Sequence, residues 1–145
     1  DEKRVPLQPA HKRGVVDPVS ALVMPVKAAV NGTLDPAACN RTIPVFDGGA
    51  RFDIALTYRS TQQAAAGTYA GPVLVCAVRY RPVAGHRPDR KSVQYMAGNS
   101  DIEVWLAPVG GSRVLVPLRI AVQTQFGLNV IQAARFNVAS SAAAR

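Results

Sequence analysis

No stretch of about twenty residues in this sequence is free of both charge and proline, so none reads as a membrane-spanning helix. Acidic residues are scarce, nine Asp plus Glu against seventeen Lys plus Arg, and most of the nine fall in turn-like contexts. A convergent pair of carboxylates for acid–base chemistry is therefore hard to assemble. There are only two cysteines and two histidines. No CxxC pair occurs, and no His stands at metal-ligand spacing from a Cys, which argues against a zinc site. The sequence also lacks G-x-S-x-G, H-E-x-x-H, a Walker A loop and G-x-G-x-x-G, the local signatures of serine hydrolases, zincins, P-loop enzymes and dinucleotide-binding folds. A Ser/His/Asp set could be drawn from Ser92, His86 and Asp101, but a chain of this size offers such triples by chance. No catalytic residue, metal ligand or cofactor is assigned.

The residues that are present describe one globular domain. At 145 residues, 48% hydrophobic and 18% charged, the chain is too apolar for intrinsic disorder and large enough to bury a core. Thirteen of the seventeen cations are arginine and the net charge is +8, so the surface should attract anionic headgroups or polyanions in a generic way. The chain opens at Asp1 with no initiator Met and no apolar leader, which leads to the expectation of a mature form or fragment whose targeting peptide has been removed. Residues 1–16 are polar and contain two of the early prolines, and they read as an extended linker. A β-rich domain is expected over 17–139 and a flexible tail over 140–145.

Asp17 and Pro18 form a helix-start signature, with apolar Val19, Leu22, Val23 and Val26 at helical spacing and Pro25 expected to end the helix near Met24. Beyond Cys39 the period changes to two. "RTIPVFDGGARFDIALTYRST" predicts a hairpin, in which Phe52, Ile54, Leu56 and Tyr58 alternate with polar neighbours after the Asp47-Gly48-Gly49 turn. "QQAAAGTY" reads as a connection and "GPVLVCAVRYRPV" as a strand apolar on both faces at its centre. "DIEVWLAPV", "SRVLVPLRIAVQTQF" and "LNVIQAARFNVA" complete about six strands, the last two paired across the turn near Phe126-Gly127-Leu128. One short N-terminal helix and no βαβ alternation predict a mainly β fold, an antiparallel sheet. Pro117 inside a strand pattern implies an edge or a bulge.

Cys39 and Cys76 both sit at or within predicted strands. The favoured reading is a structural disulfide; two free core thiols in a cytosolic protein is the alternative. A catalytic thiol at Cys76 fits poorly, because the apolar run VLVCAV would raise a thiol pKa that activation needs lowered. Arg79, Arg81, Arg87, Arg90 and Lys91 follow within a few residues, with Tyr80, His86 and Tyr95 among them. Aromatic residues interleaved with cations superficially match a single-stranded nucleic-acid grip, but the Pro- and Gly-containing run "PVAGHRPDRKS" reads as a solvated loop or an anion contact instead. Phe52, Leu74, Trp105, Ile120 and Phe136 are the candidates for core or ligand-facing positions.

Taken in order, the D-P-x-S-A helix start, "ACNRTIPVFDGGARFDIAL", "CAVRYRPVAGHRP" and the ending "EVWLAPVGGSRVLVPLRIAVQTQFGLNVIQAARF" resemble the exported proteobacterial family catalogued as domain of unknown function 3108. The resemblance spans nearly the whole chain. It implies a periplasmic cell-envelope protein with a cleaved signal peptide, and a curved, barrel-like or half-barrel sheet similar to periplasmic lipoprotein carriers. The expected role is non-enzymatic, with a lipid, lipoprotein or peptide held on the curved sheet; a hydrolase or other enzyme acting on an envelope polymer is the alternative. Nucleic acid is not an expected partner. A second copy joined through an exposed strand edge is.

Overall fold

The structure is a computed structural model and describes residues 3–21, 24–25, 34–108, 114–124 and 126–132. Among the described residues seven strands form one antiparallel sheet: β1 (Met24–Pro25), β2 (Arg41–Phe46), β3 (Arg51–Ala66), β4 (Tyr69–Ala84), β5 (Ile102–Pro108), β6 (Val114–Thr124) and β7 (Gly127–Gln132). The spatial order is β1-β6-β5-β4-β3-β2, with β7 also on β6. The sheet is mainly β in the expected sense and open, since β2 and β7 lie at opposite ends of it.

Hairpin turns set the register. Asp47 Oδ1 accepts hydrogen bonds from the Gly49 and Ala50 amides at 2.9 and 2.7 Å, closing the β2–β3 turn as an Asx-type turn. The segment "QQAAAGTY" is not a connection: β3 runs on to Ala66, and a two-residue turn at Gly67 and Thr68 leads into β4. Gly67 takes a φ of 59°, which a residue with a Cβ rarely adopts, so small and polar residues flanking a glycine extend the hairpin here rather than ending it. Register shifts between Tyr58 and Ser60, and between Trp105 and Leu106, bend the strands. Each shift adds a residue on one side of a ladder and increases the local twist, which gives the sheet its curvature. Pro117 sits next to the second shift, opposite Leu106, in a part of β6 between the stretches paired to β1 and to β7. The ladder is already interrupted by the shift, which is where a strand tolerates a residue without an N–H.

Two helices depart from the expected pattern. The N-terminal helix starts where Asp17 and Pro18 predict but lasts one turn, α1 (Pro18–Ala21), and Met24 and Pro25 pair as β1 with Leu115 and Val114. Two residues from a β-rich pairing partner outweigh a weak helical period that a proline interrupts. The longest helix among the described residues, α2 (Lys91–Gly98), overlaps the expected loop run PVAGHRPDRKS only at Lys91 and Ser92 and extends over residues for which no element was expected. Arg90 stands at its N-cap position without a side-chain capping bond, and the Arg79 guanidinium donates to the Ala97 carbonyl at 3.1 Å, placing a cation at the negative end of the helix.

The extended opening segment is tied down at two points. The Val5 amide donates to His86 O at 2.8 Å and the Gly85 amide to Val5 O at 2.6 Å, while Arg4 Nη1 reaches Gly85 O at 2.7 Å. Val16 then bridges to the outer edge of β2, its amide donating to Pro44 O and its carbonyl accepting from the Phe46 amide, each at 2.9 Å.

The main core lies on one face of the sheet. Leu74, Cys76, Val104 and Leu106 occupy successive cavity-side positions of the central strands, with Ile43 and Val45 beside them from β2. A smaller cluster of Val73, Val75, Ala107 and Leu118 occupies the other face, where Ala66 from the far end of the long hairpin packs against it. Cys39 ends a short 3-10 turn, Pro36–Cys39, N-capped by Asp35, and is bonded to Cys76 in the middle of β4. Both half-cystines are fully buried. The crosslink therefore clamps an irregular segment onto the concave face of the sheet.

Candidate functional site

Where the sheet curves, its concave face leaves an apolar cavity of about 220 Å³. The floor comes from alternation. Phe52, Ile54 and Leu56 of β3, Val78 of β4 and Val104 of β5 all project to the same side because they are two apart on their own strands and opposite one another across them. Ile120 and Pro117 of β6 close one wall and β2 supplies the other. Pro18 and Ala21 of α1 form the roof, so the helix start read from Asp17 and Pro18 places its one turn over the cavity.

Every described side chain lining this cavity is apolar. A cavity of about 150 Å³ with an aliphatic and aromatic lining stays dry and accepts benzene-sized guests, while complete small-molecule sites run from about 300 Å³ upward. At about 220 Å³ this site suits a short length of acyl chain or one large apolar side chain. Among the described residues no titratable or nucleophilic side chain lines it, so what they offer a guest is removal from water.

Next to the cavity, the Phe52 and Tyr80 rings pack with centroids 5.3 Å apart and planes tilted by 47°. Burial pushes the Tyr80 phenol above its usual range, and the negative charge of Asp47 adds to the effect. An acid with a raised folded pKa stabilises the fold below the unfolded value near 10, and that contribution is lost as pH rises through the folded value. Tyr80→Phe should therefore leave the urea midpoint unchanged at pH 8 and reduce its decline between pH 10 and 11. An equal decline in both proteins would contradict the assignment.

The candidate positions separate by face. Phe52 and Ile120 line the cavity. Leu74 is on the same side but fully buried in the core beside Leu106. Trp105 points the opposite way, because Val104 and Leu106 on either side of it take the concave face. Its indole N–H donates to Glu103 Oε1 at 2.9 Å and the Arg119 guanidinium lies 5.0 Å from its ring centroid. Glu103 in turn holds Arg59 at 2.9 Å. Phe136 and the tail over 140–145 lie outside the described residues. Ile54, Leu56 and Val78 were not singled out beforehand, although the alternation that marks Phe52 also marks Ile54 and Leu56. Pro18 and Ala21 could not be placed from sequence at all, since nothing local says which strand a one-turn helix will cover.

The basic cluster does not reach the cavity. Arg79 is engaged with α2, and Arg81 is exposed on the convex side opposite Asp53, whose carboxylate is paired with Arg51 at 2.7 Å. Arg87 pairs with Asp89 at 3.3 Å, and this hydrogen bond holds the Asp89 carboxyl below its usual range. Arg90 and Lys91 open α2 and are exposed. Arg79, Arg81 and the Arg87–Lys91 run thus occupy a strand, a turn and a helix start.

Among the described residues no helix is long and apolar enough to cross a membrane, and no cluster of three or more His, Cys, Asp or Glu could hold a metal ion. No curated protein and no solved structure matches the chain. A family described as a protein of unknown function, DUF3108, matches residues 1–133, which takes in every described strand and both cysteines, and the chain belongs to that family.

Proposed function

We propose that this chain is a non-enzymatic binding module of the periplasmic cell envelope, holding one apolar group of a lipid, lipoprotein or peptide in the cavity on its concave face. The observation that carries this reading is the wholly apolar lining of a cavity large enough for such a group and roofed by a single helical turn. Two further features support it. A buried disulfide joining an irregular segment to a central strand suits an oxidising compartment, where such bonds persist. A described lining without acid, base or nucleophile favours binding over bond cleavage.

The volume narrows the ligand. A complete diacyl lipid does not fit in about 220 Å³, so the cavity takes the end of a chain or a side chain while the rest of the molecule stays outside it. The test is titration with a fluorescent fatty acid and with envelope lipid extract. The expected result is saturable binding that Ile54→Trp, which fills the space with a larger ring, weakens by at least about tenfold without changing the thermal midpoint by more than a few degrees. Saturable binding that is equal in the variant, or no binding by the parent chain, would overturn the reading.

A further inference from the structure

The two ends of the sheet are built differently. At the β2 end, the outer edge carries Arg41 and Pro44 and is bridged by Val16, three separate devices that block a further strand. At the other end, β7 has none of them. Its six residues, GLNVIQ, hold no charge and no proline, form a continuous ladder with β6 and are all exposed. Leu128 is 56% exposed, Val130 41% and Ile131 70%, and Phe126 at the turn is 90% exposed. Among the described residues nothing pairs with the outer side of β7, so its backbone donors and acceptors present a template for another strand.

We infer that the β7 edge is the interface through which two copies of this chain pair, antiparallel about a two-fold axis, to make one continuous sheet. Charge selects the occupant. The chain carries +8, so two copies repel wherever their basic surfaces meet, but β7 and the turn before it, residues 125–132, contain no ionisable side chain, and on the paired part of β6 the one cation is Arg119, opposite Gln132 and stacked over Trp105. Copies can therefore approach along this edge with the least cation–cation repulsion. A two-fold antiparallel pairing is also self-complementary, since each β7 supplies the same donors, acceptors and apolar side chains to the other. Leu128 and Val130 lie on one side of the ladder, opposite Gln123 and Ala121, and Ile131 lies on the other, opposite Ile120. Each set would meet its counterpart across the axis. A six-residue strand is about 20 Å long and buries less than the roughly 800 Å² per partner of a standard interface, so the dimer is weak and dilution dissociates it.

Sedimentation of the purified chain over a hundredfold concentration range tests this. The expected result is a mass rising from 15.4 kDa toward twice that value, with association strengthened by added salt because the net repulsion is screened. Val130→Lys places two cations across the axis and should weaken association at least about tenfold with an unchanged thermal midpoint; Ile131→Lys, on the other side of the ladder, should do the same. Slowed amide exchange over β7 should appear only at concentrations where the dimer forms. A chain monomeric throughout the range, or lysine variants that associate like the parent, would overturn the inference. So would β7 protection that is independent of concentration and disappears when residues 133–145 are removed, because the edge would then belong to the chain's own end.

Discussion

Replacing both half-cystines, Cys39→Ala with Cys76→Ala, should lower the unfolding free energy by about 4 kcal/mol, the chain-entropy value for a closed loop of this size. The sequence separation is 37 residues, and both sulfur atoms are fully buried on the concave side. The loss has two sources. The unfolded chain regains loop freedom, and the turn Pro36–Cys39 loses its anchor to β4, so Leu34 and Ala38 can lift from the core they cover. Denaturant titration of the variant and parent measures the difference. A loss below about 1 kcal/mol would mean that packing alone holds the turn in place. Because the bond is buried, mild reductant should leave the folded protein oxidised and act mainly through the unfolded state.

The second large effect is expected at a position with no side chain. Gly85 follows β4 with a φ of 84°, and a Cβ there would run into the Gly49 carbonyl and lie 3.0 Å from the Ala50 Cα. Both obstacles are backbone, which cannot swing aside as a side-chain tip can. Gly85→Ala should therefore cost about 3 kcal/mol, combining left-handed strain with separation of the β2–β3 turn from the end of β4. The same shift breaks the reciprocal pairing of Gly85 and His86 with Val5, so the opening segment should detach as well. Gly48→Ala is the control: it also has a positive φ, of 97°, but meets nothing within 4 Å, and should cost only about 1 kcal/mol. Equal losses at the two positions would show that strain, not contact, accounts for the effect. The A-G-H run at residues 84–86 thus has a mechanical reason, since Ala84 is fully buried and Gly85 is where two turns touch.

Local chemistry made much of this architecture legible in advance. Strict alternation from Phe52 to Tyr58 identifies one face of β3, and a run as apolar as VLVCAV requires cover on both sides, which the two core clusters provide. Pro117 signals an irregular place in β6, and a register shift lies beside it. The readings that failed share a cause. The stretch after Gln62 looks like a connection because Ala, Gly and Gln have weak β preference, yet it is carried as strand by pairing with β4 residue by residue down to Tyr69. The run from Lys91 to Gly98 shows no helix start in the sequence, because Arg90 offers no side-chain cap and no acidic residue stands in the first turn. It becomes a helix because the connection from β4 to β5 must fill the space beside the part of β4 that β5 leaves unpaired.

The sequence by itself determined where most of the strands lie, which face of β3 is apolar, and that its two cysteines were available to bond, because these follow from side-chain period, turn residues and a count of two. Only the tertiary structure decided that the apolar faces curve around an unfilled volume, that Trp105 lies on the far side from it, and that a one-turn helix roofs it. Curvature accumulates from bulges and twist over several strands, and no single segment of the chain encodes where that sum will leave a space.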